Sequence, residues 1–363
     1  MMRKDKKECA FLELMKCGIW GKSPNHALFK GLTASDWTSI YKIAGKQTVL
    51  GICLAPVMAL PGNLQPPTDL LLQWIGLNRF IEANNRQKMK VWKELNDKLK
   101  AAGFTPVVFK GLSVAKWYAS PLSRQFSDID IFIPERFSQL IKQLKETGFQ
   151  CVHKPQHDTI EYKGVTVEIH SKIITVPRCC QPRLNFSSLE ERISEDLLIN
   201  IPDPNTYSLI LLSHAGGHFL IPGIGYRFLC DWAVFLKHNH QKIDTDFVLK
   251  ESKRMGMLHF VREFTKLAQI QLGLNFEGID DWTKQSNEKY LRILSDKLFE
   301  NGDFGAVNFT TNRKGKSIQL GWNAIKSLGS CRYYWSKLFW WKTPVYLFKY
   351  NILVLLRCLN FRV

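Results

Sequence analysis

The chain has 363 residues, 45% of them hydrophobic and 12% aromatic, which is ample for a packed core and, with 23% charged residues, excludes a disordered chain. Lysine and arginine exceed aspartate and glutamate by 18, a surplus that points either to anionic partners (nucleotides, nucleic acid, phosphorylated sugars, acidic lipid) or simply to a basic surface. Nine scattered cysteines with no Cys-x-x-Cys do not look like a disulfide framework and fit a reducing cytoplasm; no secretory signal is visible in the charged N-terminus, which no long apolar run follows, so a cytoplasmic location is the expectation.

Residues 1–65 read as short helices broken by Gly18, Gly21, Pro24, Pro56, Pro61 and Gly62. Pro66-Pro67-Thr68-Asp69 is a helix start with Thr68 or Asp69 as cap, and Leu70, Trp74, Leu77, Ile81, Trp92, Leu95 and Leu99 then recur at helical spacing up to Gly103. The β-branched run 106–109 predicts a buried strand, 112–118 a helix, 129–133 a second strand ended by Pro134, and 137–147 a helix meeting Gly148. Residues 159–162 and 165–169 alternate around Lys163-Gly164, as in a hairpin. From about 188 onward the pattern is helical, with 209–219, 228–236, 247–272 and 284–299 as the main helices. The expected organisation is a helical segment 1–103, an α/β core 104–185 and a C-terminal helical domain 186–363 ending in a basic aromatic tail.

The chemistry concentrates in the core. Asp128 and Asp130 alternate with Ile129 and Ile131, so on a strand both carboxylates emerge on one face and both isoleucines on the other. A strand end with two solvated acids is the bland reading; a hard divalent cation relieving their repulsion is the other. Glu168, between Val167 and Ile169, supplies a third carboxylate if its strand lies beside the first. Lys110-Gly111-Leu112-Ser113 sits where strand becomes helix: Gly111 permits close backbone approach, and the helix N-terminus offers N–H groups to phosphate. Arg124 either neutralises a phosphate through its planar fork or pairs with one of the two aspartates.

A glycine-bearing strand-to-helix turn, then Asp-h-Asp-h, then h-Glu-h resembles the nucleotidyltransferase (DNA polymerase β-like) superfamily, and more narrowly its uncharacterised nucleotidyltransferase family. The matching text is Val107 to Gly111, Arg124 to Phe132 and Val167 to His170, with His214, His218, Arg227 and Asp231 downstream; the likeness covers roughly residues 70–240. It implies an α+β fold, a small mixed-sheet core flanked by N- and C-terminal helical segments. It also implies transfer of a nucleoside monophosphate from an NTP, such as ATP, to an acceptor hydroxyl of a small molecule or glycan precursor. Asp128, Asp130 and Glu168 would hold two Mg²⁺ ions, Glu168 would draw the acceptor proton, and Lys110, Gly111, Ser113 and Arg124 would bind the nucleotide. The turn departs from the superfamily's Gly-Ser or Gly-Gly, which shifts phosphate contact from Ser113 toward Lys110. Alternative readings are a catalytically silent binding protein with this fold, or an enzyme nucleotidylating a protein side chain.

His170 shares the strand face of Glu168 and points to the same site or fills a strand end. His214 and His218, four apart on a helix, suit a metal, a substrate contact or buried packing; Arg227 is a further substrate contact or the i, i+4 partner of Asp231. Residues 330–363 interleave aromatics with Arg332, Lys337, Lys342, Lys349 and Arg357, without acids. That suits a peripheral helix on anionic membrane or one packed on the core, and no defined nucleic-acid motif is visible.

Overall fold

The computed structural model describes residues 5–133, 136–154, 157–171, 173, 187–194, 197–220, 223–302 and 339. The chain opens with three helices: α1 (Lys6–Trp20), capped by Asp5; α2 (Ala34–Lys46), with a capping box from Thr33 and Asp36; and α3 (Leu50–Met58). The long α4 (Thr68–Ala101) follows; Pro67 takes the cap position, one or two residues before the expected caps Thr68 and Asp69, and no side chain caps the helix.

The α/β core then forms in the expected order: β1 (Val107–Phe109), α5 (Gly111–Ala115), β2 (Ile129–Phe132), α6 (Phe137–Glu146), β3 (Val152–His153), β4 (His157–Tyr162) and β5 (Val165–His170). Lys163 (φ 49°) and Gly164 (φ 76°) both take left-handed backbone, the conformation of a two-residue hairpin turn matched to strand twist. β4 and β5 are therefore in strict antiparallel register about that turn.

One expectation fails. The stretch after 188, expected to be helical, begins with a hairpin, β6 (Ser188–Ser194) and β7 (Leu197–Pro202). β7 pairs in parallel with β1, giving a seven-stranded mixed sheet of order β3-β4-β5-β2-β1-β7-β6. β7 alternates buried and open positions as a half-buried strand does, whereas β6 carries Glu190, Glu191 and Arg192 at the sheet's edge, where charge blocks pairing with another chain.

Helices α7 (Pro204–Leu220) and α8 (Tyr226–Asn239) are buried nearly all round and form the centre of the helical part. The expected single helix 247–272 is two, α9 (Thr245–Arg254) and α10 (Leu258–Leu272), broken at Gly256, whose φ of 72° no helix accommodates. The expected helix 284–299 is α12 (Glu288–Asn301), preceded by a short α11 (Ile279–Thr283) that was not expected. One continuous core joins the sheet to both helical segments. The tail expectation, 330–363, lies outside the described residues except for Phe339, which is buried against Phe219 and Phe260. Among the described residues no helix is long and apolar enough to cross a membrane.

Candidate functional site

Three strands assemble the acidic group. β2 runs parallel to β5 with Asp130 opposite Glu168 and Phe132 opposite His170, while β1 runs antiparallel to β2 with Phe109 opposite Asp130. Register partners share a sheet face, so Asp130, Glu168 and His170 project together while Ile129, Ile131, Val167 and Ile169 fill the core behind. Asp128, two residues before Asp130, flanks them.

The electrostatics of the three acids differ. Burial opposes ionisation of Asp130, but the Lys110 ammonium (Nζ to Oδ1 3.1 Å) and the His170 imidazole (Nε2 to Oδ1 2.7 Å) outweigh it and hold its pKa below the usual range. Burial also works against charge on Glu168. There His157 (Nε2 to Oε1 3.1 Å) and His170 (Nε2 to Oε2 3.6 Å) dominate and lower its pKa, and Lys154 stands 3.6 Å from Oε1. For Asp128 the balance is reversed: burial first, then the charges of Asp130 and Glu168, raise its pKa despite Lys110 and Ser127. Three hard carboxylate ligands, the ionisation of one of them opposed by its neighbours, fit a divalent ion of the magnesium class.

Lys110 is held in an unusual pose. Its backbone takes φ 61° and ψ −147°, a region that side-chain-bearing residues rarely enter, and its N–H donates to Tyr207 Oη at 3.0 Å. The turn thereby swings its ammonium over Phe109 toward Asp130. Gly111 leaves room for Phe126, whose Cβ lies 3.3 Å from where a glycine substituent would start.

The other expected site residues are engaged with partners of their own. Ser113 is fully buried, its hydroxyl donating to Lys110 O at 2.9 Å and bonded to Tyr207 Oη. α5 spans only five residues, which also weakens any phosphate contact from its first turn. Arg124 is buried and forked onto Asp231, with Nε 3.0 Å from Oδ1 and Nη2 on Oδ2; Tyr118 Oη donates to the same carboxylate at 2.6 Å. Asp231 therefore pairs with Arg124, while Arg227 reaches Gln125 O at 3.4 Å and lies over the Phe228 ring. His214 and His218 meet Nε2 to Nε2 at 3.1 Å beside Phe228. Burial, then the Lys110 charge, lowers both pKa values, that of His218 to about 3, so the pair is neutral and one imidazole donates to the other.

Sequence reasoning missed His157, Lys154 and Tyr207. His157 is the register partner of His170, and one ligand atom each from His157, Glu168 and His170 fall within 4.8 Å of one another. A cleft of about 880 Å³ lies between α4, α5 and the β6–β7 hairpin, lined by Met89, Leu112, Leu122 and Phe126 with Lys90 and Lys116 at its side. None of the three carboxylates lines it, and Phe126 borders both regions.

A family model described as uncharacterised nucleotidyltransferase matches residues 33–273, a span holding every described strand and all of the side chains above. No curated protein matches the chain.

Proposed function

The chain belongs to the uncharacterised nucleotidyltransferase family, and from that premise we propose that it moves a nucleoside monophosphate from an NTP to an acceptor hydroxyl at Asp128, Asp130 and Glu168. The observation that carries this is the register of Asp130 with Glu168 on parallel strands, with Asp128 beside them, its ionisation opposed by burial and by its two acidic neighbours. Two Mg²⁺ ions held by these carboxylates would supply charge neutralisation to the attacking and leaving oxygens.

The chain's own residues do the rest. Lys110, released from Asp130, places a point charge against the triphosphate, and its strained turn fixes where that charge stands. Gly111 lets the nucleotide approach the backbone. Glu168, held ionised by His157 and His170, is the stronger ligand and weaker base; Asp128, whose proton affinity is raised, is the better acceptor for the hydroxyl proton. Arg124 positions the strand entry through Asp231, since its donor fork is already engaged there. The acceptor is a small molecule or glycan precursor; a protein side chain is the alternative.

Incubating the full chain with labelled NTPs, Mg²⁺ and an acceptor library tests the reading. Wild-type protein should transfer label and Asp130→Ala should not; full turnover by Asp130→Ala would sink it. The inward-turned hydroxyl of Ser113 favours a second reading, an NTP-binding protein without transfer. Mg²⁺-dependent NTP binding with no product from any acceptor class supports that one.

A further inference from the structure

We propose that His157, Glu168 and His170 form a binding site for a divalent transition-metal ion of the zinc class, distinct in ligand chemistry from the three-carboxylate magnesium site. Two imidazoles and one carboxylate are a borderline donor set. Imidazole nitrogen suits zinc, cobalt and their neighbours, whereas magnesium prefers oxygen throughout.

The geometry points the same way. A tetrahedral ion with bonds of about 2.0–2.1 Å keeps its ligand atoms about 3.3 Å apart. Here His157 Nε2 lies 3.1 Å from Glu168 Oε1 and His170 Nε2 lies 3.6 Å from Glu168 Oε2, and one ligand atom from each of the three residues lies within 4.8 Å of the other two, a spacing that side-chain rotation alone can close onto an ion. Neither ring nitrogen of His157 meets a partner in hydrogen-bond geometry, although both are shielded from solvent. The 3.1 Å approach of Nε2 to Glu168 is thus short but misaligned, as two ligands of a common third atom would be. An orphaned buried imidazole is costly unless something else fills its lone pair.

The strands make the site rigid. His157 and His170 are register partners, six residues either side of the Lys163–Gly164 turn, and Glu168 stands two residues along the same strand face. The ring centroids of the two histidines are 4.9 Å apart. His170 Nε2 is hydrogen-bonded to Asp130 Oδ1 at 2.7 Å, so an ion bound at Nε2 replaces that bond and has the Asp130 carboxylate beside it. Among the described residues three protein ligands are supplied, which leaves positions open for water or a phosphate oxygen. The inference rests on the nucleotidyl-transfer reading at one point alone: Glu168 belongs to both sites.

The test is a cobalt(II) titration of the chelator-treated full chain, followed by its visible d–d absorption, with zinc and magnesium as competitors. One cobalt per chain should bind, zinc should displace it, and magnesium in about thousandfold excess should not. His157→Ala should weaken cobalt binding by more than the roughly 10–100-fold expected of an outer-shell change, with an unaltered far-UV spectrum. His157→Asp, which restores an oxygen donor, should recover binding with a shifted absorption. Asp128→Asn should bind cobalt as wild type does while losing Mg²⁺-dependent NTP binding. Equal cobalt affinity in wild type and His157→Ala, or loss in Asp128→Asn alone, overturns the histidine site and leaves the nucleotidyl-transfer reading standing. Should cobalt bind as described but no NTP bind with Mg²⁺, the histidine site stands and the transfer reading falls.

Discussion

Asp130 on β2 and Glu168 on β5 are direct partners in a parallel ladder, so two acids 38 residues apart in the chain leave the sheet side by side. Strand pairing sets them there and His170 bridges them, with Nε2 2.7 Å from Asp130 Oδ1 and 3.6 Å from Glu168 Oε2; Lys110 contacts only the first acid, His157 and Lys154 only the second. Asp130→Asn keeps the shape and an acceptor for Lys110 while removing the charge. Turnover should fall by roughly two to three orders of magnitude, with the urea midpoint little changed. Turnover within a fewfold of wild type would show that the pair has no part in transfer.

Much of this arrangement is legible from residues alone. The alternation of Asp128, Ile129, Asp130 and Ile131 announces the polar face, and Lys163-Gly164 fixes the hairpin that aligns Glu168. The same turn places His157 opposite His170 by counting outward from it, a signal that was present and unused. Other features lay beyond local pattern. Ser113 and Arg124 turn inward because Tyr207 and Asp231, some hundred residues later, receive them, and sequence spacing does not report which buried partner a side chain finds. β6 was misread because Glu190, Glu191 and Arg192 have little strand preference; they sit there because an edge strand tolerates charge.

The Arg124–Asp231 pair should bear on stability more than on chemistry. Both groups are buried, and Asp231 also accepts from Tyr118. Asp231→Ala strands a guanidinium and a phenol away from water, which should cost about 3–5 kcal/mol in chemical denaturation. Asp231→Asn, which keeps an acceptor, should cost less. If Asp231→Ala unfolds at the wild-type midpoint, the pair is not the tie between α8 and the strand entry that the geometry makes it.

His218 should give the protein acid sensitivity. Its folded pKa is lowered to about 3 by burial, then by Lys110 and Arg227, whereas the unfolded value is near 6.5. Between those values the unfolded chain binds a proton that the folded chain refuses, so stability is lost as pH falls below 6.5 and the loss continues toward 3. For this one group the loss is at most about 2 kcal/mol at pH 5. His218→Gln should flatten the fall in urea midpoint between pH 7 and pH 5; an unchanged slope would place the acid sensitivity elsewhere.

Glu263 predicts the opposite slope at higher pH. It is almost wholly buried on α10; Oε1 accepts the Asn287 N–H at 2.7 Å, and Oε2 has no partner. Burial raises its pKa to about 7 against the pull of Asn287 and Arg262, from an unfolded value of 4.5. Across that interval the folded state keeps a proton that the unfolded state has released, so stability falls as pH rises from about 4.5 to about 7 and then levels. Glu263→Gln retains the acceptor for Asn287 and carries no charge, so this component of the slope should vanish. Relative to wild type the variant should gain on the order of 1–3 kcal/mol between pH 5 and pH 8, read from paired urea titrations. Parallel curves for the two proteins would mean that Glu263 is ionised throughout, with a cation near Oε2 that the fold does not display.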